Sequence, residues 1–246
     1  MPRFLRTALP IVALLCAASL LGAQDAAAAP AGAAKGHSLL DLIILAGPIE
    51  AVLIVLSLIC YSLALQWTFT IKRDTLLPPG MADDIHNCFA EGVTDESVEN
   101  ARNVVANDQS MLGNIIAAAL DKKDFGYDAM KDAAELVGAS EHNKYMGKVA
   151  WLSLFGSSAT LLGLLGTVSG IIGSFLKMSA NPGGVDPNML AANIGEALVC
   201  TATGIAIAVG ALAFFFFLRG RVNQSAMDAG VIANEILDYF RPQQAH

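Results

Sequence analysis

The sequence is poor in charged residues. Of its 246 residues, 15% are Asp, Glu, Lys or Arg and 54% are hydrophobic, whereas typical soluble domains are roughly 25% charged. The apolar residues are concentrated in long uncharged runs instead of recurring along one face of amphipathic helices. This pattern argues against a single soluble domain and indicates an integral membrane protein surrounded by membrane lipid.

Basic residues are scarcer than acidic ones. The chain has 15 Lys and Arg against 22 Asp and Glu, a formal net charge of -7. Such a chain lacks the basic surface that neutralises a phosphate backbone. We therefore expect no nucleic-acid partner.

Motifs of metal sites and catalytic sites are absent from the sequence. The four cysteines are widely separated, with neither CxxC spacing nor a nearby His cluster, so we predict neither a disulfide framework nor a metal site. Glycine-rich phosphate loops and nucleophile elbows are also missing. An enzyme is the least favoured class, and we expect no catalytic residues and no cofactor.

The N-terminal residues 1–29 have the pattern of a signal peptide. Arg3 and Arg6 precede an apolar stretch, and small residues follow as far as Ala29. An uncleaved signal anchor is the alternative, although the stretch is short for roughly 30 Å of hydrocarbon. Either interpretation places residues 30–48 in the periplasm.

Three later apolar runs predict transmembrane helices at residues 49–71, 149–176 and 190–218. An α-helix rises about 1.5 Å per residue, so each run can cross roughly 30 Å of hydrocarbon. The expected fold class is an all-α membrane protein. It has three transmembrane helices after the signal peptide, and a helical cytoplasmic domain between helices one and two.

The distribution of basic residues predicts the topology. Residues 72–148 contain eight Lys and Arg and residues 219–246 contain three, against one in the loop at 177–189. Basic residues favour the cytoplasmic side, so that loop is predicted to be periplasmic and the C-terminus cytoplasmic. Residues 72–148 should form a helical domain, with a helix start at Thr94 to Ser97. The apolar stripe of residues 219–246 predicts a helical tail that packs on this domain.

Glu196 is the only charged residue within the third apolar run. A carboxylate inside a membrane span costs about 2.5 to 3.5 kcal/mol, which makes it a functional candidate. A position near the outer interface is the alternative, since Glu196 follows Pro187 by only about 13 Å. Helical spacing places Thr203 on its face and Thr201 about 140° away. Glu196 and Thr201 of one helix therefore cannot face the same conduit. In an oligomer, Glu196 of one helix and Thr201 of a neighbouring helix could do so.

Small residues recur at spacings of three and four along the second helix, which is typical of a face built for close helix approach. Thr167 lies in this stripe, at a membrane depth similar to that of Thr201 on the third helix, so a shared polar layer is geometrically possible. Helix packing alone is the competing interpretation. The predicted packing positions are Gly163, Gly166, Gly170, Gly173 and Gly204.

Three motifs together resemble the MotA/TolQ/ExbB proton-channel family, most closely its ExbB and TolQ branch. They are Leu161-Leu162-Gly163-Leu164-Leu165-Gly166-Thr167-Val168, Ile194-Gly195-Glu196-Ala197-Leu198 and Thr201-Ala202-Thr203-Gly204. The likeness covers most of the chain after residue 40, including Gly47-Pro48 through Arg73 and Leu76 to Pro79. Thr160 and Gly210 stand where related sequences often have proline, so the resemblance does not fix helix kinks or gating geometry.

The resemblance implies a proton-conducting stator subunit of the inner membrane. It would form a pentamer around two single-span partners of the ExbD or TolR kind, which carry a protonatable Asp, and drive a TonB- or TolA-like energy transducer. The family's pore-lining threonines fall on Thr167 and Thr201, and its intramembrane glutamate falls on Glu196. With Thr203, these residues form the predicted ion pathway. A sodium-driven stator and a non-conducting membrane scaffold remain the alternatives.

Overall fold

The computed structural model describes residues 47–90, 92–106, 108, 110–179 and 187–241. The predicted signal peptide, nearly all of the predicted periplasmic segment before helix one, and most of the loop at 177–189 lie outside the described residues. Within these ranges the chain is helical and contains no strand. Three of its helices are long and apolar enough to cross a membrane, which confirms the predicted fold class.

The helices follow one another with short connections. Turns of 3-10 helix lie at Lys123–Phe125 and Asp238–Phe240. In chain order the helices are α1 (Gly47–Thr70), α2 (Arg73–Leu76), α3 (Met81–Phe89), α4 (Asp95–Ala106), α5 (Met111–Leu120), α6 (Tyr127–Ser179) and α7 (Pro187–Leu237).

Short polar side chains set the starts of two helices. Before α4, the backbone N–H of Thr94 donates to Ser97 Oγ at 2.8 Å, and the N–H of Ser97 donates to Thr94 Oγ1 at 3.1 Å. Before α5, Ser110 Oγ accepts from the N–H of Gly113 at 3.1 Å. These bonds satisfy N–H groups that a helix start leaves without partners. The predicted helix start at Thr94 to Ser97 is confirmed.

The described residues group into two compact units, and the first comprises residues 47–65, 151–179 and 187–215. In the most apolar stretches of α1, α6 and α7, only 17%, 28% and 33% of the residues are buried. Many large aliphatic side chains are therefore exposed, among them Leu58, Leu161, Leu164, Ile172 and Val209. Since apolar surface in water is costly, lipid is the surrounding that suits this unit.

The second unit comprises the described residues between 66 and 150 and between 216 and 241. In it α3 packs on α4, and α4 packs on α5. The C-terminal residues join this core, because the ring of Phe89 lies 5.7 Å from that of Tyr239 and 5.3 Å from that of Phe240. Arg221 donates to the carbonyls of Thr68 and Ile71 at 3.2 and 2.9 Å, which secures the end of α1.

Within the first unit, α6 and α7 make backbone contact at Gly163 and Gly204. A Cβ on Gly204 would lie 2.6 Å from the carbonyl oxygen of Ala159 and 3.0 Å from the Cα of Gly163. A Cβ on Gly163 would lie 3.2 Å from the Cα atoms of both Thr201 and Gly204. Only glycine permits so close an approach, since the obstructing atoms belong to backbone.

The other predicted packing positions differ from one another. A Cβ on Gly170 would lie 2.7 Å from the Cβ of Ala197, and a Cβ on Gly166 would overlap the sulfur of Cys200. A Cβ on Gly173, in contrast, would have no atom within 4 Å among the described residues, apart from its chain neighbours and the backbone of its own helix. Gly163, Gly166, Gly170 and Gly204 therefore lie in one helix contact, and Gly173 lies outside it.

We predict that Gly204→Ala destabilises the protein by about 1 to 3 kcal/mol, the usual cost of overpacking, because α6 and α7 must separate to admit the methyl group. Gly173→Ala is the matched control and should change stability by no more than about 0.5 kcal/mol. Unfolding of both variants in detergent measures the difference. Equal stability of the two variants would show that the crossing does not depend on glycine.

Candidate functional site

Two threonine hydroxyls meet at the crossing of α6 and α7. Thr201 Oγ1 on α7 donates to the carbonyl oxygen of Gly163 on α6 at 2.8 Å. Thr167 Oγ1 donates to the carbonyl oxygen of Leu164, within its own helix, at 2.7 Å. The two hydroxyl oxygens are 3.3 Å apart. The site therefore brings two hydroxyls and a carbonyl from two helices together in an otherwise apolar unit.

The glycine contact is what allows this arrangement. A threonine hydroxyl is short, and it can reach a carbonyl of another helix only if the two backbones nearly touch. The Cα of Thr201 lies 3.2 Å from the position that a Cβ on Gly163 would take, so its hydroxyl faces the Gly163 carbonyl directly. Thr203, two residues later, instead donates to the carbonyl of Val199 in its own helix at 3.0 Å.

The hydroxyl pair can change its hydrogen bonds without moving its backbone. Each hydroxyl has one proton to donate and two lone pairs that accept. Both protons are directed at carbonyls here, and a rotation about the C–O bond of Thr201 would redirect its proton to Thr167 Oγ1. Such a pair can pass a proton along a hydroxyl chain, and its oxygens are also ligands suited to a small hard cation.

Glu196 lies on α7 but apart from the hydroxyl pair. Its side chain is exposed, whereas Thr167 is buried. Five residues separate Glu196 from Thr201, about 7.5 Å along the helix axis and 140° around it. Within one chain, the structure therefore brings Thr167 and Thr201 together, and leaves Glu196 and Thr203 outside that contact.

Glu50 is a second acidic residue of the apolar helices, and sequence reasoning missed it. It lies in the first turn of α1 and is half-buried. The predicted transmembrane helix at residues 49–71 includes Glu50, but the sequence pattern assigned it no role. The available signal was the apolar sequence on both sides of it, Leu42 to Ala46 and Ala51 to Leu56.

In the ranges that the structure describes, no group of three or more His, Cys, Asp and Glu could hold a metal ion. The polar atoms that meet across helices in the first unit are hydroxyl and carbonyl groups of α6 and α7.

The sequence is similar to biopolymer transport proteins of several bacteria. It is 35% identical over 108 residues to the biopolymer transport protein exbB1 of Vibrio cholerae, covering 44% of this chain and 47% of the relative. It is 33% identical over 124 residues to the biopolymer transport protein ExbB of Xanthomonas campestris, covering 50% of this chain and 46% of the relative. The chain thus spans about half the length of these curated relatives.

A third relative matches over a longer range. The putative biopolymer transport protein ExbB-like 1 of Synechocystis is 26% identical over 207 residues, which cover 82% of this chain and 79% of the relative. The sequence pattern of the MotA/TolQ/ExbB proton channel family matches residues 107–229, a range that includes the glycine crossing, both threonines and Glu196. The match covers half of the chain, and this multi-pass membrane protein therefore belongs to the MotA/TolQ/ExbB proton channel family, in its ExbB-like branch.

Proposed function

We propose that this chain is the channel-forming subunit of an inner-membrane complex that conducts protons and couples proton-motive force to biopolymer transport. The process served is outer-membrane import or envelope maintenance. Family membership and the names of the relatives support this proposal. The observation that carries it is the interhelical contact of Thr201 with Gly163 and Thr167, a cluster of oxygens in an apolar helix bundle.

The proposed topology follows from the charges. The basic residues of 72–148 and 219–246 place these segments in the cytoplasm, with the loop at 177–189 in the periplasm. The hydroxyl pair then lies in the outer half of the membrane, because Thr201 precedes the basic Arg219 by about 27 Å of helix. Protons that enter from the periplasm would meet this pair before they cross most of the hydrocarbon.

The exposure of Glu196 supports assembly with other helices. A carboxylate left against lipid is costly, by about 2.5 to 3.5 kcal/mol at the centre of a span and by less toward the interface. We place it against the lumen of a homopentamer, whose centre holds two single-span helices of an ExbD- or TolR-like partner. The partner in turn engages a TonB- or TolA-like energy transducer. In such a ring, Glu196 and the hydroxyl pair of neighbouring subunits can face one conduit.

In the proposed mechanism, a proton passes from the periplasm to the layer formed by Glu196, Thr203 and the hydroxyl pair. The Thr201 hydroxyl accepts that proton on a lone pair and gives its own proton to the next oxygen of the chain, and rotation then restores its starting orientation. The last oxygen gives its proton to a carboxylate of the partner. Neutralising that carboxylate changes the charge facing the ring and shifts the partner helices. Each charge that crosses 100 mV supplies about 2.3 kcal/mol, so several protons are needed for substantial mechanical work.

Two other functions are distinguished by experiment. The same hydroxyl and carbonyl oxygens could ligate sodium, which would make the complex a sodium-driven stator. The donation of both hydroxyls to helix carbonyls also suits a scaffold in which threonine serves packing alone. A sodium stator would conduct with sodium as the only gradient, and a scaffold would conduct neither ion.

We predict that Thr201→Val lowers partner-dependent proton flux by about tenfold or more, because valine keeps the shape of threonine but has no hydroxyl to accept and donate a proton. The matched control is Thr160→Val, whose hydroxyl donates within its own helix to Gly156 and should be dispensable. Flux is measured in proteoliposomes that contain the chain and an ExbD-like partner at equal abundance. Equal flux in wild type and Thr201→Val would contradict the assigned pathway.

We also predict that Glu196→Gln abolishes most of the partner-dependent flux while the complex still assembles, since the amide keeps the shape but cannot accept a proton. Glu235→Gln, an exposed glutamate in the second unit, is the control and should conduct like wild type. Native mass spectrometry reports the subunit ratio and the same proteoliposome assay reports flux. A conducting Glu196→Gln complex would remove this residue from the pathway.

A further inference from the structure

A groove in the second unit lies between α6 and α7. The lining residues run from Lys131 to His142 on α6 and from Asn223 to Asn234 on α7, with Ile115 of α5 beneath them, and they enclose about 510 Å³. Each wall therefore covers about 16 Å of helix, or three turns. At one end His142 Nε2 lies 2.9 Å from Asn223 Oδ1, a hydrogen bond that joins the two walls.

Small residues make up most of both walls of this α6–α7 groove. They are Ala134, Gly138, Ala139, Ala226, Gly230 and Ala233. A Cβ on Gly230 would have no atom within 4 Å among the described residues, apart from its chain neighbours and the backbone of its own helix. Met227, also in the lining, is exposed. A groove of this length and composition fits the apolar face of an amphipathic helix.

The stretches of α6 and α7 that form the groove are acidic. Residues 127–142 and 223–241 contain seven Asp and Glu against two Lys and Arg. Glu135 belongs to the lining, and the exposed Asp132 precedes it by about one turn of α6. Lys131 is one of the two basic residues, and its ammonium lies 3.9 Å from the Glu135 carboxylate. The remaining carboxylates favour an occupant that is positively charged.

This charge distinguishes between kinds of occupant. A second copy of the chain would bring the same acidic helix stretches to the groove, and anionic lipid headgroups would also meet like charge. A single-span membrane protein, in contrast, carries Lys and Arg preferentially on the cytoplasmic side of its span. Along α6 the groove extends from about 9 Å to about 26 Å from Lys148, which precedes the second apolar run. A tail that leaves the membrane on that side can reach it.

We propose that the α6–α7 groove binds a basic amphipathic helix, about three turns long, from the cytoplasmic tail of the single-span partner. This inference rests on the proposed function, which supplies the partner and the topology. Apolar side chains of the bound helix fill the space beside Gly230 and contact Met227. Lys or Arg residues along its edges pair with Glu135 and Asp132. The partner is thereby held by the second unit as well as by membrane helices.

A substitution that fills the groove tests the site. Gly230→Leu places a side chain in the open space, and we expect it to weaken binding of the tail by at least tenfold. Gly147→Leu is the matched control, because Gly147 is also a helical glycine with an open Cβ position but lies outside the lining. The probe is a labelled synthetic peptide with the sequence of the cytoplasmic tail of the co-expressed ExbD-like partner. Fluorescence anisotropy reports its binding to the detergent-purified, full-length chain.

A charge reversal tests the electrostatic part without filling the groove. We expect Glu135→Lys to weaken binding of the same peptide by about tenfold at low salt and to reduce the dependence of binding on salt concentration. Glu99→Lys, at an exposed position of α4, makes the same change in net charge and should alter the affinity less than twofold. Equal losses in these two variants would overturn the proposal, because binding would then follow net charge and not the groove.

The remaining outcomes separate this inference from the proposed function. If the peptide does not bind the wild-type chain, or binds Gly230→Leu equally well, the groove proposal is overturned even when the wild-type complex conducts protons. If the peptide binds as expected but the wild-type complex conducts no protons, the proposed function fails and the groove assignment stands. If native mass spectrometry shows fewer copies of the chain in Gly230→Leu but not in Gly147→Leu, the occupant is a second copy and the proposal is overturned.

Discussion

The backbone contact between Gly163 and Gly204 is the constraint on which the rest of the first unit depends. Neither residue has a Cβ, so α6 and α7 approach until a methyl group on Gly204 would lie 2.6 Å from a carbonyl oxygen. That approach brings the Thr201 hydroxyl within 2.8 Å of the Gly163 carbonyl. Helix packing and polar chemistry are therefore one feature here, because the hydroxyl pair exists only where the backbones touch.

The polar groups of this unit differ in how they are satisfied. The hydroxyls of Thr167 and Thr201 both have carbonyl partners, which is what an apolar environment demands of buried donors. Of the two acidic side chains in the apolar helices of this unit, Glu50 is half-buried and Glu196 is exposed. A single chain thus provides hydrogen-bond acceptors for the Thr167 and Thr201 hydroxyls. The exposed Glu196 carboxylate would find polar surroundings only in an assembly with other helices.

The sequence was sufficient for the features that follow from local pattern. Long uncharged runs identify three apolar helices, and the Thr94 to Ser97 motif identifies the start of α4. The length of α6, 53 residues, could not be read from those runs, since charge marks where a helix leaves the membrane and not where it ends. The apolar stripe after Arg219 does predict that the third helix continues, and α7 is one helix of 51 residues. The polar residues that precede and follow the runs are themselves good helix formers.

Tertiary contacts account for what the sequence could not reveal. The partner of Thr201 lies 38 residues away in the sequence, and only the packing of α6 on α7 brings the two together. Gly210, which stands where related sequences often have proline, is explained in the same way. A Cβ there would overlap the hydroxyl of Tyr61, so this position accommodates a tyrosine from α1 and no side chain of its own.

The central claim is that the hydroxyls of Thr167 and Thr201 act as one link in proton conduction, and a double-mutant cycle on flux tests it most directly. Proton flux would be measured for Thr167→Val, Thr201→Val and the double variant in the complex with its partner, at equal abundance. If the hydroxyls form one link, losing the second hydroxyl has no further effect. The proton flux of the double variant then equals that of the single variant with the lower flux. Losses that multiply would show independent residues and contradict the account.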